Sequence, residues 1–208
     1  MLIIFCADIG SVKKGNFGWA RHAVEGTHSP LSTGSDIARF TQLIAEDLNA
    51  GNQVALGFEC PLFVPITADA GELTSARPGE GDRPWSAGAG AGSLATGLTE
   101  TQWILDHVRL EVRRDVPVFS HWQPFQASDD GLFVWEAFVT KDAKANTDHG
   151  DAELAVNSFR ASLPNPEQQN AVDCKCRVRS LIGAALLQAG WTSDLGWLQE
   201  PCLVIRVK

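Results

Sequence analysis

Features that would tie this 208-residue chain to a membrane or a secretory route are missing from its sequence. It has no apolar run long enough to cross a bilayer, and its longest uncharged stretch, residues 84–99, is mostly glycine, alanine, serine and threonine. The N-terminus lacks the basic start of a signal peptide, and Asp8 interrupts its apolar run. We therefore expect no membrane-spanning segment and no secretory leader.

Cysteines are few, and their number, five, is odd. Cys6 and Cys60 lie inside apolar runs, where a free cysteine behaves as a small hydrophobic residue. This pattern predicts a reducing, cytoplasmic compartment and no disulfide framework. Cys174 and Cys176 are separated by a single residue, which is not the usual spacing of zinc ligands, and no matching pair follows.

Positive charge is also scarce, with 17 lysines and arginines against 25 acidic residues and a net charge of −8. This balance argues against a broad basic surface for tight, sequence-independent binding of nucleic acid. It leaves room for a small basic groove beside an acidic metal site. The apolar content of 44% and charged content of 20% are typical of a globular chain, and the length fits one domain over residues 1–208.

Several motifs of well-known enzyme classes are absent. The chain has neither the G-x-S-x-G turn of acyl-transfer enzymes nor the Gly-Lys-Ser/Thr ending of a P-loop. Gly90, Gly92 and Ala95 have the spacing G-x-G-x-x-A, but no strand precedes them, as a dinucleotide site requires. These chemistries are therefore not indicated.

Apolar periodicity and turn residues predict an alternation of strands and helices. The predicted strands are residues 2–9, 17–22, a short one near 23–28, 53–60, 116–119, 131–139 and 203–207. The predicted helices are residues 35–49, 99 or 101 to 114, 151–163 and 168–189. Residues 64–98, rich in glycine, proline and alanine, are predicted to be a long irregular insertion. An antiparallel hairpin or meander followed by alternating helices and strands predicts an α/β fold, a mixed sheet with helices on both faces.

Two carboxylates end apolar strands, Asp8 in the first and Glu59 in the fourth. Burying an unpaired carboxylate costs several kcal/mol, so such a residue needs a partner. Element order and apolar character predict that the first and fourth strands are adjacent and parallel. Both side chains then lie at one edge of the sheet and could bind Mg²⁺ or Mn²⁺. Alternatively, Asp8 caps the turn at Gly10 and Glu59 pairs with an arginine.

Three short motifs resemble the ribonuclease H-like superfamily, and within it a family of predicted nucleases of unassigned role. They are Asp8-Ile9-Gly10 before a hairpin, Glu59-Cys60-Pro61-Leu62 after the fourth strand, and Trp135-Glu136-Ala137-Phe138 on the fifth. The resemblance implies a ribonuclease H-like sheet with a carboxylate site and divalent-metal-dependent cleavage of phosphodiesters.

The third acid departs from the pattern of that family, which has an aspartate in the first turn of the last long helix. Here Arg179 and Ser180 precede the small apolar residues, and the nearest acid is Asp173. In a regular helix Asp173 would lie roughly 140° from the centre of the apolar stripe. Asp151, which opens the previous helix, is the alternative third acid. The plain interpretation of Asp173 is a solvated helix residue, and that of Asp151 is a first-turn acid favoured by the helix dipole.

Glu136 lies inside an apolar strand and needs a partner, which is either the metal site or one of two arginines, Arg77 and Arg83. These arginines and Trp85 are also candidates to contact a phosphate and a base. The plain alternative for the segment from Arg83 to Ser93 is a packed or mobile connection. The substrate-binding candidates are Lys13, Lys14, Arg77, Arg83 and Trp85.

Three functions compete at this stage. The first is a metal-dependent nuclease that uses Asp8, Glu59, a third acid and Glu136 on a nucleic acid. The second is a non-catalytic ribonuclease H-like module that binds a partner through residues 64–98. The third, an actin-like phosphotransferase, ranks last because the chain is too short for two such domains.

Overall fold

The computed structural model describes residues 1–24, 31–81, 84–140 and 143–207. Within them, nine strands form, β1 to β9 in chain order: Leu2–Asp8, Gly18–Ala23, Leu31–Gly34, Gln53–Phe58, Phe63–Ile66, Val118–Phe119, Gly131–Phe138, Arg177–Ser180 and Leu203–Arg206. Five helices, α1 to α5, span Ile37–Asn49, Gly88–Glu111, Trp122–Ala127, Asp148–Ser162 and Leu181–Gln188. Single 3-10 turns cover Val12–Lys14, Ala70–Glu72, Pro166–Gln169 and Leu195–Gln199.

The main sheet is mixed, as predicted, and has the strand order β3-β2-β1-β4-β7. Beyond β7, the first half of that strand pairs with β6 and the second half with β9. The hairpin strand β2 is antiparallel to β1 and β3, whereas β1, β4, β7, β6 and β9 run parallel to one another. The prediction that the first and fourth strands are adjacent and parallel is confirmed, with Ala7 opposite Phe58.

Helices cover both faces of this sheet, because successive residues of a strand point to opposite faces. Phe5 and Ala7 belong to the core cluster on one face, which also contains residues of α1, α2 and α5. Ile4 and Cys6 belong to the cluster on the other face, with residues of α3 and α4. The strands β1, β4 and β7 are buried on both faces, which explains why they read as nearly continuous apolar runs.

A second, two-stranded sheet pairs β5 with β8, from Phe63 opposite Ser180 to Ile66 opposite Arg177. It replaces the start of the helix predicted over residues 168–189. The Ser180 side chain accepts a hydrogen bond from the Gly183 N–H at 3.0 Å, so the helix begins only at Leu181. Upstream, the Asn170 side chain accepts a 3.0 Å bond from the Val204 N–H and so holds this segment against β9.

The predicted insertion is partly helical, because α2 begins at Gly88 rather than at residue 99 or 101. Tertiary packing outweighs the poor helix propensity of its glycines. A Cβ on Gly97 would lie 2.6 Å from the Cys60 sulfur, so the missing side chain lets α2 approach the end of β4 closely. The short strand predicted near residues 23–28 is not where the third strand forms, since β3 covers Leu31–Gly34; residues 25–30 lie outside the described ranges.

Two of the five cysteines are bonded to each other. Cys174 and Cys176 are joined by a disulfide that the odd cysteine count did not predict. Cys6, Cys60 and Cys202 are free and buried.

Within the described ranges, no helix combines the length and apolar character needed to cross a membrane.

Candidate metal centre

Three carboxylates meet at the carboxyl-terminal ends of the central strands. One oxygen each from Asp8, Glu59 and Asp151 can be chosen so that all three lie within 4.8 Å of one another. Asp8 is the last residue of β1, Glu59 directly follows β4, and Asp151 lies in the first turn of α4. Asp8 and Asp151 are buried, and Glu59 is partly exposed.

Sheet register brings the first two acids together. Because β1 and β4 are parallel and Ala7 lies opposite Phe58, the residues that follow each partner, Asp8 and Glu59, leave the sheet side by side. The Glu59 N–H donates a 2.8 Å hydrogen bond to the Ala7 carbonyl, which extends the ladder to the site itself.

Close packing at Gly18 places the third acid, Asp151, beside Asp8 and Glu59. Gly18 of β2 is the register partner of Asp8, and a Cβ on it would lie 2.3 Å from the backbone nitrogen of His149. The first turn of α4 can therefore lie directly against β2 beside Asp8. The Thr147 side chain caps this helix by accepting a 3.2 Å hydrogen bond from the Gly150 N–H, and this fixes the turn that carries Asp151.

The described residues do not neutralise this cluster fully. Burial raises the pKa of Asp8 to about 7, against the opposing attraction of Lys144. Burial, together with the charge of Asp8, raises the pKa of Glu59 to about 9. One Glu59 oxygen, Oε2, is buried and has no hydrogen-bond partner among the described residues. Such shifts arise where carboxylates crowd a site that lacks compensating positive charge.

Among the described residues, Lys144 is the cation that pairs with this cluster. Its Nζ lies 3.2 Å from Oδ2 of Asp151, whose other oxygen accepts a 2.5 Å hydrogen bond from the Ala145 N–H. Burial lowers the pKa of Lys144, but the attraction of Glu59, Asp151 and Asp8 outweighs it, so the pKa is raised overall. Its ammonium group is therefore charged at neutral pH.

The residues of the cluster fit a divalent cation. Three carboxylates are hard oxygen donors of the kind that such ions prefer. A bound cation would give the orphaned Glu59 Oε2 a partner and would favour the charged forms of Asp8 and Glu59, whose pKa values are raised.

Glu136 does not join the cluster, because it has other partners. It accepts hydrogen bonds from Arg77 at 2.9 Å and 2.5 Å and from the Leu62 N–H at 2.9 Å. Arg77 also binds Glu80 at 2.8 Å, and all three charged side chains are buried. Of the alternatives that the sequence left open, Glu136 takes the arginine pair with Arg77.

Asp173 is not near the cluster either. It is exposed, lies outside any helix, and pairs with Lys175 at 3.8 Å. The sequence-based choice of Asp173 as third acid depended on a helix that does not form there. The alternative, Asp151, is the acid that the structure places beside Asp8 and Glu59.

The predicted substrate-binding residues have different positions. Lys13 and Lys14 are exposed in the 3-10 turn after β1, and Arg77 is buried in its ion pairs. Trp85 lines a cavity beside the acid cluster, described below. Its indole N–H donates a hydrogen bond to the Ser75 carbonyl at 3.0 Å. Arg83 lies outside the described residues.

The cavity has a volume of about 230 Å³ and joins the acid cluster to the Arg77–Glu136 pair. Its lining includes two residues that sequence reasoning missed, Lys144 and Asp148. Neither belongs to an apolar run or a motif, so the sequence carries no signal for them.

Glu100 was also missed. Burial raises its pKa to about 7, and it accepts a hydrogen bond from the backbone of Gly10, just after Asp8. Glu100 lies on α2 and supports the turn at Gly10, beside the acid cluster.

The chain matches no protein-family model, no curated protein and no solved structure. Its function is therefore inferred from the chemistry of the site.

Proposed function

We propose that this chain is a divalent-metal-dependent nuclease of ribonuclease H-like type that hydrolyses a phosphodiester. The observation that carries the proposal is the convergence of Asp8, Glu59 and Asp151 within 4.8 Å of one another. The strand order β3-β2-β1-β4-β7, with acids at the ends of β1 and β4, supports the ribonuclease H-like assignment.

Asp8, Glu59 and Asp151 are the residues that would hold Mg²⁺ or Mn²⁺. When bound, such an ion activates a water and offsets negative charge on the phosphate. The chain itself supplies positioning: the β1–β4 register orients Asp8 and Glu59, and the capped first turn of α4 orients Asp151. Burial of Asp8 and Asp151 keeps bulk water from screening their charges.

The proposed reaction is hydrolysis, in which water forms one P–O bond and the bond to the leaving oxygen breaks. The described cavity is small, so it would take one phosphate and its neighbouring groups rather than a wide duplex. Trp85 in the wall offers an aromatic surface for a base or sugar.

The test is a cleavage assay on DNA, RNA, hybrid and branched substrates with Mn²⁺. Glu59→Gln keeps the size of the side chain and removes its charge, so we expect cleavage to fall by about 100-fold or more. Glu46→Gln is the matched control, because Glu46 is exposed on α1 and pairs with Arg39. Cleavage that survives chelation, or that is equal in Glu59→Gln, would contradict the proposal.

A second candidate is a non-catalytic module of the same fold that binds a partner through residues 64–98. The net charge of −8 favours it, as does the engagement of Arg77 and Lys144 by acids. Metal binding without cleavage of any substrate above the Glu59→Gln background would support this candidate over the nuclease.

A further inference from the structure

Lys144 differs from an ordinary surface lysine in the partner that it has. Its side chain is 47% exposed, whereas the side chain of Asp151, which it contacts at 3.2 Å, is 3% exposed. Lys144 also lines the cavity that contains the acid cluster. The ammonium group therefore lies at the boundary between the buried carboxylates and the open cavity.

The charge of Lys144 is shared by the whole cluster rather than by one acid. Glu59, Asp151 and Asp8 all attract it electrostatically. Among the described residues that line the cavity, the other lysine or arginine is Arg77, which two buried carboxylates hold. Lys144 is thus the cavity cation whose position a bound ion can change.

We propose that Lys144 is the internal counter-ion of the acid cluster and that it binds the phosphate of the substrate once a divalent cation occupies the carboxylates. This inference rests on the proposed function and adds a residue to it. A divalent ion repels the ammonium group and takes over the negative charge that held it. The long, flexible stem of lysine then lets the same charge reach into the cavity, where a phosphodiester needs a positive partner.

Two opposite effects follow for Lys144→Gln. Removal of a competing cation should tighten Mn²⁺ binding by about three- to fivefold. Removal of the phosphate partner should weaken binding of a phosphodiester by a similar factor or more. A lysine that only holds Asp151 in place would instead loosen the metal when it is removed.

The experiment is calorimetric titration of wild type, Lys144→Gln and Lys144→Arg, first with Mn²⁺ and then with a 5′-phosphorylated dinucleotide in Ca²⁺. Lys144→Arg keeps the charge and should bind both ligands within about twofold of wild type. Lys175→Gln is the matched control, because Lys175 is exposed and pairs with Asp173 away from the cluster. Thermal melting without metal checks that each variant is folded.

Weaker or unchanged Mn²⁺ binding in Lys144→Gln would overturn the counter-ion role. Unchanged dinucleotide binding in that variant, or no binding by wild type, would overturn the phosphate role. Failure of the proposed function looks different: wild type would bind Mn²⁺ and cleave no substrate, while the Mn²⁺ titration of Lys144→Gln would still decide the counter-ion role. No Mn²⁺ binding by wild type would overturn both.

Discussion

Arg77 and Glu136 form a buried ion pair with two hydrogen bonds, of 2.9 Å and 2.5 Å, between the insertion and the centre of the sheet. Glu136 also accepts the Leu62 N–H, so the pair holds the turn that follows Glu59. Glu80 binds Arg77 from its other side at 2.8 Å. The insertion is therefore tied to the strand end that carries a metal ligand.

Arg77→Met should destabilise the protein by about 3–5 kcal/mol, because it leaves the carboxylates of Glu80 and Glu136 buried without a positive partner. The free energy of unfolding in urea measures this loss. Arg39→Met is the matched control, since Arg39 pairs with Glu46 on the exposed face of α1 and should cost less than about 1 kcal/mol. Equal losses in the two variants would show that burial of the Arg77 pair has no special effect.

The central strands and their terminal acids could be predicted from sequence, because apolar runs such as those ending at Asp8 and Glu59 are local signals. The adjacency of these two strands followed from element order. Glu136 was recognisable for a similar reason, as an acid within an apolar strand. Which partner it takes depends on Arg77, 59 residues away in the chain, and that choice is a matter of tertiary contact.

The remaining parts of the site depend on packing that local patterns do not encode. The helix that begins at Gly88 forms against the local preference of a glycine-rich segment, and Gly97 lets it pack closely on Cys60. Asp173 was chosen as the acid nearest to the expected start of the last long helix, but the Ser180 cap starts that helix only at Leu181. Lys144 lies in a polar connection, and only its contact with the buried Asp151 identifies it as part of the site.

Stability should fall as pH rises when no divalent ion is present. Burial raises the pKa of Asp8 from 3.8 to about 7 and that of Glu59 from 4.5 to about 9. Across this window the folded state binds more protons than the unfolded state, so the free energy of unfolding decreases with pH. The stabilising contribution is complete below about pH 4 and is lost towards pH 9.

Urea unfolding at pH 5, 7 and 9 in the presence of a chelator measures this slope. Asp8→Asn should flatten it, because the substituted amide does not titrate. Asp106→Asn, on the partly exposed face of α2, serves as control. A wild-type protein that gains stability between pH 5 and pH 9 would contradict the uncompensated charge of the cluster.

A divalent cation should raise the melting temperature at pH 8, because it binds the folded carboxylates and not the unfolded chain. Mn²⁺ at 100 times its dissociation constant should add about 2.7 kcal/mol of stability. Asp8→Asn should abolish the increase, whereas Asp106→Asn should keep it. Differential scanning calorimetry with and without Mn²⁺ distinguishes them, and an identical response of wild type and Asp8→Asn would exclude the site.

Gly18→Ala should weaken metal binding although Gly18 is not a ligand. The added Cβ would lie 2.3 Å from the His149 nitrogen, a backbone atom that cannot move aside alone, so the first turn of α4 must shift. Asp151 lies on that turn, and its displacement should weaken Mn²⁺ binding by about tenfold or more. We expect a loss of about 1–3 kcal/mol of stability as well, because the contact becomes overpacked.

Gly92→Ala is the matched control for that variant, because Gly92 is exposed on α2 and a Cβ there meets nothing within 4 Å. It should leave Mn²⁺ binding unchanged and stabilise the helix slightly. Calorimetric titration of both variants measures the effect, with circular dichroism to show that each is folded. If folded Gly18→Ala bound Mn²⁺ as tightly as wild type, the close contact between Gly18 and the first turn of α4 would not be what positions Asp151 as a ligand.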